Sequence, residues 1–190
     1  DDAGISYGDV AVFYRTNAQS RAVEDMFVRS GIPYRVIGGT RFYERREIKD
    51  ALAYLHAIAN GDDTVSIRRI LNMPKRGLGA KSEEAVAVHA ARWDVSFGAA
   101  LSDVAEPHPE RGPVSGIGKK AAVTMTGFAG MLQRGREMAE AGEAPDAILD
   151  FVMEESGYLD MLRSSEDPQD ESRLENLAEL HSVAVDFHKA

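Results

Sequence analysis

Up to Ile37 the sequence reads as strand, helix, strand, and after Gly39 it holds no run that reads as a strand. That asymmetry limits the folds open to it. Val10–Tyr14 is short, β-branched and aromatic, the make-up of a buried strand. Ser20–Ser30 places Val23, Met26 and Phe27 at helical spacing, and Gly31 follows where a helix end favours glycine. Tyr34–Ile37 is a second short strand, closed by Gly38-Gly39. The short connections make this a β-α-β unit, which belongs to a parallel sheet. Two strands cannot form a stable sheet alone. Residues 1–39 are therefore expected to complete a larger α/β domain. The chain also opens on Asp rather than Met, as an excised piece of a longer protein would.

Residues 40–190 predict an all-helical domain, so the fold class is mixed and mainly α. Ile48, Leu52, Leu55 and Ala59 mark one helix face. Asp62 or Asp63 caps the next helix, which holds Val65, Ile67, Ile70 and Leu71. A further helix spans about 82–92, and another runs from Gly116 to about Glu140. Between them, residues 102–116 carry three of the seven prolines and several charges, which predicts a mobile loop. Two or three more helices follow, broken at "AGEAPDA" and "SSEDPQDES".

Several chemistries are excluded. The sequence has no cysteine, so disulfides, zinc-thiolate sites and cysteine nucleophiles are absent, and a reducing, cytoplasmic compartment is expected. No apolar run approaches the roughly 20 residues of a membrane span. There is no G-x-x-x-x-G-K-[ST], no H-E-x-x-H and no G-x-S-x-G. The five histidines are scattered, without metal-ligand spacing, and read as surface or loop residues. Neither a catalytic residue nor a metal site is predicted.

The net charge of −9 argues against general nucleic-acid binding, but its distribution does not. From Arg29 to Lys81 there are eleven Lys and Arg against five Asp and Glu, a local excess of +6. Such a segment steers a polyanion to one face. Within it lies "RILNMPKRGLGAK": a helix, a proline, two cations, Gly-Leu-Gly and a new helix. This is the outline of a helix–hairpin–helix turn. Glycines allow a sharp turn and close approach, and the unpaired N–H groups of the following helix suit a phosphate oxygen. Lys75, Arg76, Gly77, Leu78, Gly79 and Lys81 are thus candidate duplex-DNA contacts that bind phosphate without reading bases. An ordinary helix connection would show the same glycines. "SGIGKKAA" repeats the logic with Gly118, Lys119 and Lys120. A flexible lead-in to a helix is the alternative there.

Three blocks, "VFYRTNAQSRAVEDMF", "GIPYRVIGGTRFYERREIKDALAYLHAIANGDD" and "RRILNMPKRGLGAKS", together resemble the bacterial UvrD/PcrA/Rep group of superfamily 1 DNA helicases. The resemblance covers residues 9–82. It implies a motor that translocates 3′ to 5′, with ATP and Mg2+ held between RecA-like subdomains 1A and 2A, and helical insertions 1B and 2B. Residues 1–39 then correspond to a piece of 2A and 40–190 to most of 2B, with Gly38 and Gly39 at the hinge. The nucleotide-binding motifs would lie outside this chain, so it would hold no cofactor and hydrolyse no ATP by itself.

The resemblance also places residues. Arg15 and Asn17 would face single-stranded DNA, although Arg15 could instead pair with Glu24 or Asp25. Arg41, Arg45 and Lys49 would add cations at the start of 2B, with Arg45 and Lys49 on one helix face. Phe42 and Tyr43 would pack the hinge. Lys75–Lys81 correspond to the family's "GIG" turn, which grips duplex DNA, with Leu78 as the departure. The implied partners are a duplex–single-strand junction, the other helicase subdomains, and repair or transcription proteins, in the nucleoid-associated cytoplasm. Two other readings stay open: an autoinhibitory protein-interaction module, and a stand-alone helix–hairpin–helix DNA-binding protein.

Overall fold

The computed structural model describes residues 5–189, and they are mainly helical. Among the described residues nine α-helices follow in order: α1 (Ser20–Arg29), α2 (Arg46–Ala59), α3 (Thr64–Ile70), α4 (Ala80–Trp93), α5 (Phe97–Ala105), α6 (Lys119–Glu140), α7 (Pro145–Glu155), α8 (Tyr158–Arg163) and α9 (Pro168–Lys189). Their ends follow local chemistry. Asp63 caps α3 by accepting from the Ser66 amide, and Ser96 caps α5 by accepting from the Ala99 amide. Pro145 opens α7 at a position where a missing N–H costs nothing. After α1, Gly31 and Ile32 turn their amides back onto the carbonyls of Val28 and Phe27.

Helix α2 is the hub. It buries Ile48, Ala51, Tyr54, Ala57 and Ile58 and packs against α3, α6, α7 and α9. Helix α6 supplies the facing wall with Met125, Phe128, Met131 and Leu132. One apolar cluster joins these to Val86 of α4, Leu101 of α5, Val152 of α7 and Leu177 of α9. Among the described residues it begins at Phe42; nothing earlier joins it.

The expected β-α-β unit is not formed. Its helix is α1, but Val10–Tyr14 and Tyr34–Ile37 pair with no strand among the described residues. Phe13 is 93% exposed and Ile37 is 88% exposed. A strand needs a ladder partner for its backbone groups, and these two segments do not supply one to each other. The loop expected at 102–116 also differs. Its first four residues complete α5, and the rest is bridged at His108 and Gly112. No helix among the described residues is long and apolar enough to cross a membrane.

Close packing of α5 rests on Gly98. A Cβ there would lie 1.9 Å from the carbonyl oxygen of Gly61, which is backbone and cannot swing aside. Gly98→Ala should therefore destabilise the chain by about 1–3 kcal/mol, as overpacking does. Gly127, within α6 and with open space around it, is the contrasting control. Gly127→Ala should stabilise by about 0.5–1 kcal/mol. Urea unfolding of the two variants beside the parent chain measures both signs.

Candidate nucleic-acid interface

The segment between α3 and α4 is held from within by two side chains. Asn72 donates from Nδ2 to the Leu78 carbonyl at 3.0 Å. Its Oδ1 accepts from the Arg76 amide at 2.7 Å and from the Leu78 amide at 3.4 Å. Gly77 sits at φ +72°, a conformation that side chains disfavour. The Met73–Pro74 bond is cis. Leu78 points inward and is 9% exposed, anchoring the turn in the core. Gly79 is the N-cap of α4 and offers no capping side chain. The Ser82 amide is the first of α4 to find a backbone acceptor, on Gly79. The Ala80 and Lys81 amides have no acceptor among the described residues, so the α4 N-terminus presents free donors and the positive end of its dipole.

The cations of this segment separate into two kinds. Lys75 and Lys81 are exposed, and neither makes an ion pair among the described residues. Arg76 is turned the other way. Its Nη1 donates to the carbonyls of Ile70 at 2.8 Å, Leu71 at 3.1 Å and Pro74 at 3.4 Å. Its Nη2 donates to the Tyr54 hydroxyl at 2.6 Å, and that hydroxyl donates to the Met73 carbonyl at 2.6 Å. The guanidinium lies 4.9 Å from the Phe128 ring centre. Burial raises the Tyr54 pKa, against the opposing pull of Arg76. Arg76 is therefore corrected from an outward cation to an internal one, because the Ile70, Leu71 and Pro74 carbonyls and the Tyr54 hydroxyl all turn toward it.

The second glycine turn lies beside α4. Gly116 is at φ +85°, and a Cβ on it would sit 3.8 Å from the Ala85 Cβ in α4. Ala85 is five residues beyond Ala80, or about 7.5 Å along the helix axis. Gly118 caps α6, and Lys119 and Lys120 are exposed in its first turn. Val114 and Ile117 pack onto the core and fix the approach. Behind this turn, Arg111 grips Asp103 with bonds of 2.6 and 2.8 Å, and His89 Nε2 lies 3.0 Å from the same carboxylate. His89 is 7% exposed, not the surface residue expected of it, because Asp103 gives its ring a polar partner in the core.

Comparison with known proteins identifies the family. The profile of the UvrD-like helicase C-terminal domain matches residues 2–109, more than half of the chain. The chain belongs to that family. It is 48% identical over 185 residues to the ATP-dependent DNA helicase UvrD1 of Mycobacterium tuberculosis, and 45% identical to that of Mycobacterium leprae. It is 40% identical over 190 residues to the ATP-dependent DNA helicase PcrA of Staphylococcus epidermidis. These alignments cover 96–98% of this chain but 23–24% of the relatives. The chain thus spans about a quarter of their length. The family profile includes the first glycine turn and stops before the second.

Against the family expectation, the remaining cations divide again. Arg45 is 8% exposed and is not a surface contact. It is the extended N-cap of α2, so it does not share a helix face with Lys49. Its Nη1 donates to the Asn17 carbonyl at 2.9 Å and to Asn176 Oδ1 at 2.8 Å, and its Nη2 donates to Ser20 Oγ at 2.8 Å. Burial lowers its pKa, against nearby Glu24 and Glu47. Lys49 and Arg41 are exposed, and Arg41 lies over the Tyr34 ring at 5.1 Å. Arg15 pairs with neither Glu24 nor Asp25: Glu24 accepts from Ser20, Tyr34 and the Phe42 amide, and Asp25 accepts from Arg21. The Arg15 and Asn17 region instead forms an open cavity of about 320 Å3 against Pro168, Ser172 and Glu175. Asn17 touches Ser172 through Nδ2 at 3.5 Å. Gly38 takes φ +81°, and both Gly38 and Gly39 are exposed. Phe42 is fully buried and meets Tyr43 edge-on.

Two residues near the first turn were missed from sequence. Arg46 Nη2 lies 3.5 Å from the Met73 sulfur, and Arg69 donates to the Arg46 carbonyl at 3.5 Å. Both lean on Asp50, so the basic surface of the turn continues onto α2 and α3. The consecutive Arg68-Arg69 pair and the Arg46-x-x-x-Asp50 spacing were the available signals. Among the described residues no group of His, Cys, Asp and Glu could hold a metal ion.

The Asp103 cluster yields a pH prediction. Bonding to Arg111 holds the Asp103 pKa below its ordinary value of 3.8, with His89 adding to the effect and burial opposing it. A depressed carboxylate pKa stabilises the fold above the ordinary value, and that stability is lost as pH falls through the folded-state value. Asp103→Asn should cost about 2–3 kcal/mol at neutral pH, as charge-assisted bonds do. The gap between parent and variant should stay full down to about pH 4 and narrow below it. Unfolding free energies from pH 7 to pH 3 check both size and window.

Proposed function

We propose that this chain is the duplex-gripping part of an ATP-dependent, 3′-to-5′ DNA helicase. Residues 1–39 would belong with a RecA-like 2A subdomain and 40–190 would form the helical 2B subdomain. The observation that carries the reading is the N-terminus of α4. Its amides at Ala80 and Lys81, open among the described residues, lie between two exposed lysines, Lys75 and Lys81, that make no ion pair among those residues, on a turn anchored by Leu78. This combination receives a backbone phosphate and offers nothing shaped to read a base edge. Gly118, Lys119 and Lys120 beside α4 would take a further phosphate of the same duplex. Arg41 and Lys49 remain candidate cations, and Arg15 and Asn17 would line the single-strand side.

The exposed Val10, Val12, Phe13 and Ile37 fit contact with the rest of such a protein. That apolar edge also favours the reading of this chain as a docking or autoinhibitory module within the helicase. Rotation about Gly38 and Gly39 would let the duplex grip regulate the motor. ATP and Mg2+ would be held elsewhere in the full protein, since this sequence has no phosphate-binding loop. The reading places the protein at duplex–single-strand junctions in the bacterial cytoplasm, with repair or transcription proteins as further partners.

Lys75→Ala with Lys81→Ala should remove about two phosphate contacts. The slope of log affinity against log salt should fall by roughly 0.9 for each. The loss should be equal on two duplexes of unrelated sequence. An unchanged slope, or a loss on one duplex alone, would show that the turn is merely a helix connection. The purified chain should also show no DNA-stimulated ATP hydrolysis. Turnover abolished by a substitution within it would contradict the assignment.

A further inference from the structure

Arg76 stands in the middle of the basic turn, yet its charge is spent inside the protein. We infer that Arg76 and Asn72 are positioning residues for phosphate binding by the Gly-Leu-Gly turn: they shape the turn and make no contact with nucleic acid. The inference rests on the duplex reading above and changes which cations of the turn do the binding.

Four acceptors surround the guanidinium. Three are carbonyls, those of Ile70 and Leu71 at the end of α3 and that of Pro74 beyond it; the fourth is the Tyr54 hydroxyl. Tyr54 passes the connection on to the Met73 carbonyl. A planar five-donor fork can serve this set at once, whereas an ammonium has three donors at one point. The ring of Phe128 closes one face of the guanidinium. Arg76 thereby ties the turn to α2 through Tyr54 and to α6 through Phe128.

Asn72 completes the cage from the other side. Its amide holds both the Arg76 and Leu78 backbones, so the chain between them is pinned at each end. The consequence falls on the neighbours. With Arg76 drawn inward and Leu78 buried, Lys75 stays exposed, and Gly77 and Gly79 face open space. Gly79 is then set as an N-cap with the Ala80 and Lys81 amides uncovered. A preformed row of donors avoids the ordering cost that a loose loop meets on binding.

The test compares charge with shape. Duplex affinity is measured against salt for the parent chain, Lys75→Ala/Lys81→Ala, Arg76→Lys, Arg76→Ala and Asn72→Ala. Amide exchange and thermal melting are recorded for each free protein. Arg76→Lys keeps the charge and loses the fork. It should weaken binding by about tenfold, the equivalent of one charge-assisted hydrogen bond, at every salt concentration and with the parent slope. Asn72→Ala should behave likewise. Exchange should quicken at the bonded amides of the turn, those of Leu78 and Ser82, while the amides of α2 and α6 keep their protection. Parent-like affinity in Arg76→Lys, or a slope lowered by roughly 0.9 in Arg76→Ala, would make Arg76 a direct phosphate contact and overturn the inference. So would faster exchange throughout the chain with a lowered melting temperature, which marks general destabilisation. If the parent chain binds no duplex, every arm is flat: the duplex reading fails, and this inference falls with it.

Discussion

Asp50 is a carboxylate buried in the middle of α2, at 2% exposure, and it obliges three helices to meet. A buried charge must be paired and hydrogen-bonded or the fold does not tolerate it. Arg69 of α3 binds Asp50 Oδ1 at 2.7 Å, and Tyr158 at the start of α8 donates to Oδ2 at 2.8 Å. Burial, then the charge of Asp50, pushes the Tyr158 pKa far up, so its hydroxyl stays a donor. The apolar face of α2 would accept many partners in many orientations. The carboxylate accepts few, and so it fixes where α3 and α8 lie. Because α3 leads directly into the glycine turn, the pairing also sets where that turn emerges.

A different kind of joint connects the first forty residues to the helical body. The apolar cluster stops at Phe42, and the attachment beyond it is polar. Arg45 reaches the Asn17 carbonyl, Ser20 and Asn176, and Asn176 donates to Glu47 at 2.7 Å. Arg21 donates to Glu179 on α9 at 2.5 Å. Polar joints demand specific geometry and contribute less net stability than apolar burial, because both sides are well solvated when apart. The exposed Gly38 at φ +81° lies in the bend between α1 and the helical body.

Much of the helical architecture was legible in the sequence. The spacing of Ile48, Leu52 and Leu55 marked α2, the Asp62-Asp63 pair marked the start of α3, and Gly31 marked the end of α1, because each is a local signal within a few residues. The Gly-Leu-Gly turn was legible for the same reason: glycine, a buried apolar residue and a new helix are adjacent. The strands were read from composition that is equally local, but a strand exists through its neighbour, and Val10–Tyr14 and Tyr34–Ile37 have none among the described residues.

The direction of each cation was a tertiary decision. Lys75 and Arg76 are neighbours with the same sign, and their sequence contexts differ little. Arg76 points inward because Tyr54 and Phe128, twenty-two residues before it and fifty-two after, arrive to complete an acceptor set. Arg45 is buried because Asn176, one hundred and thirty-one residues away, meets it. His89 is buried because Asp103, itself held by Arg111, gives its ring a polar partner. The sequence by itself determined that a basic glycine turn would join two helices in an otherwise acidic chain. Which of its charges are free for a ligand was decided by the fold, since desolvating a cation requires acceptors that only distant segments bring.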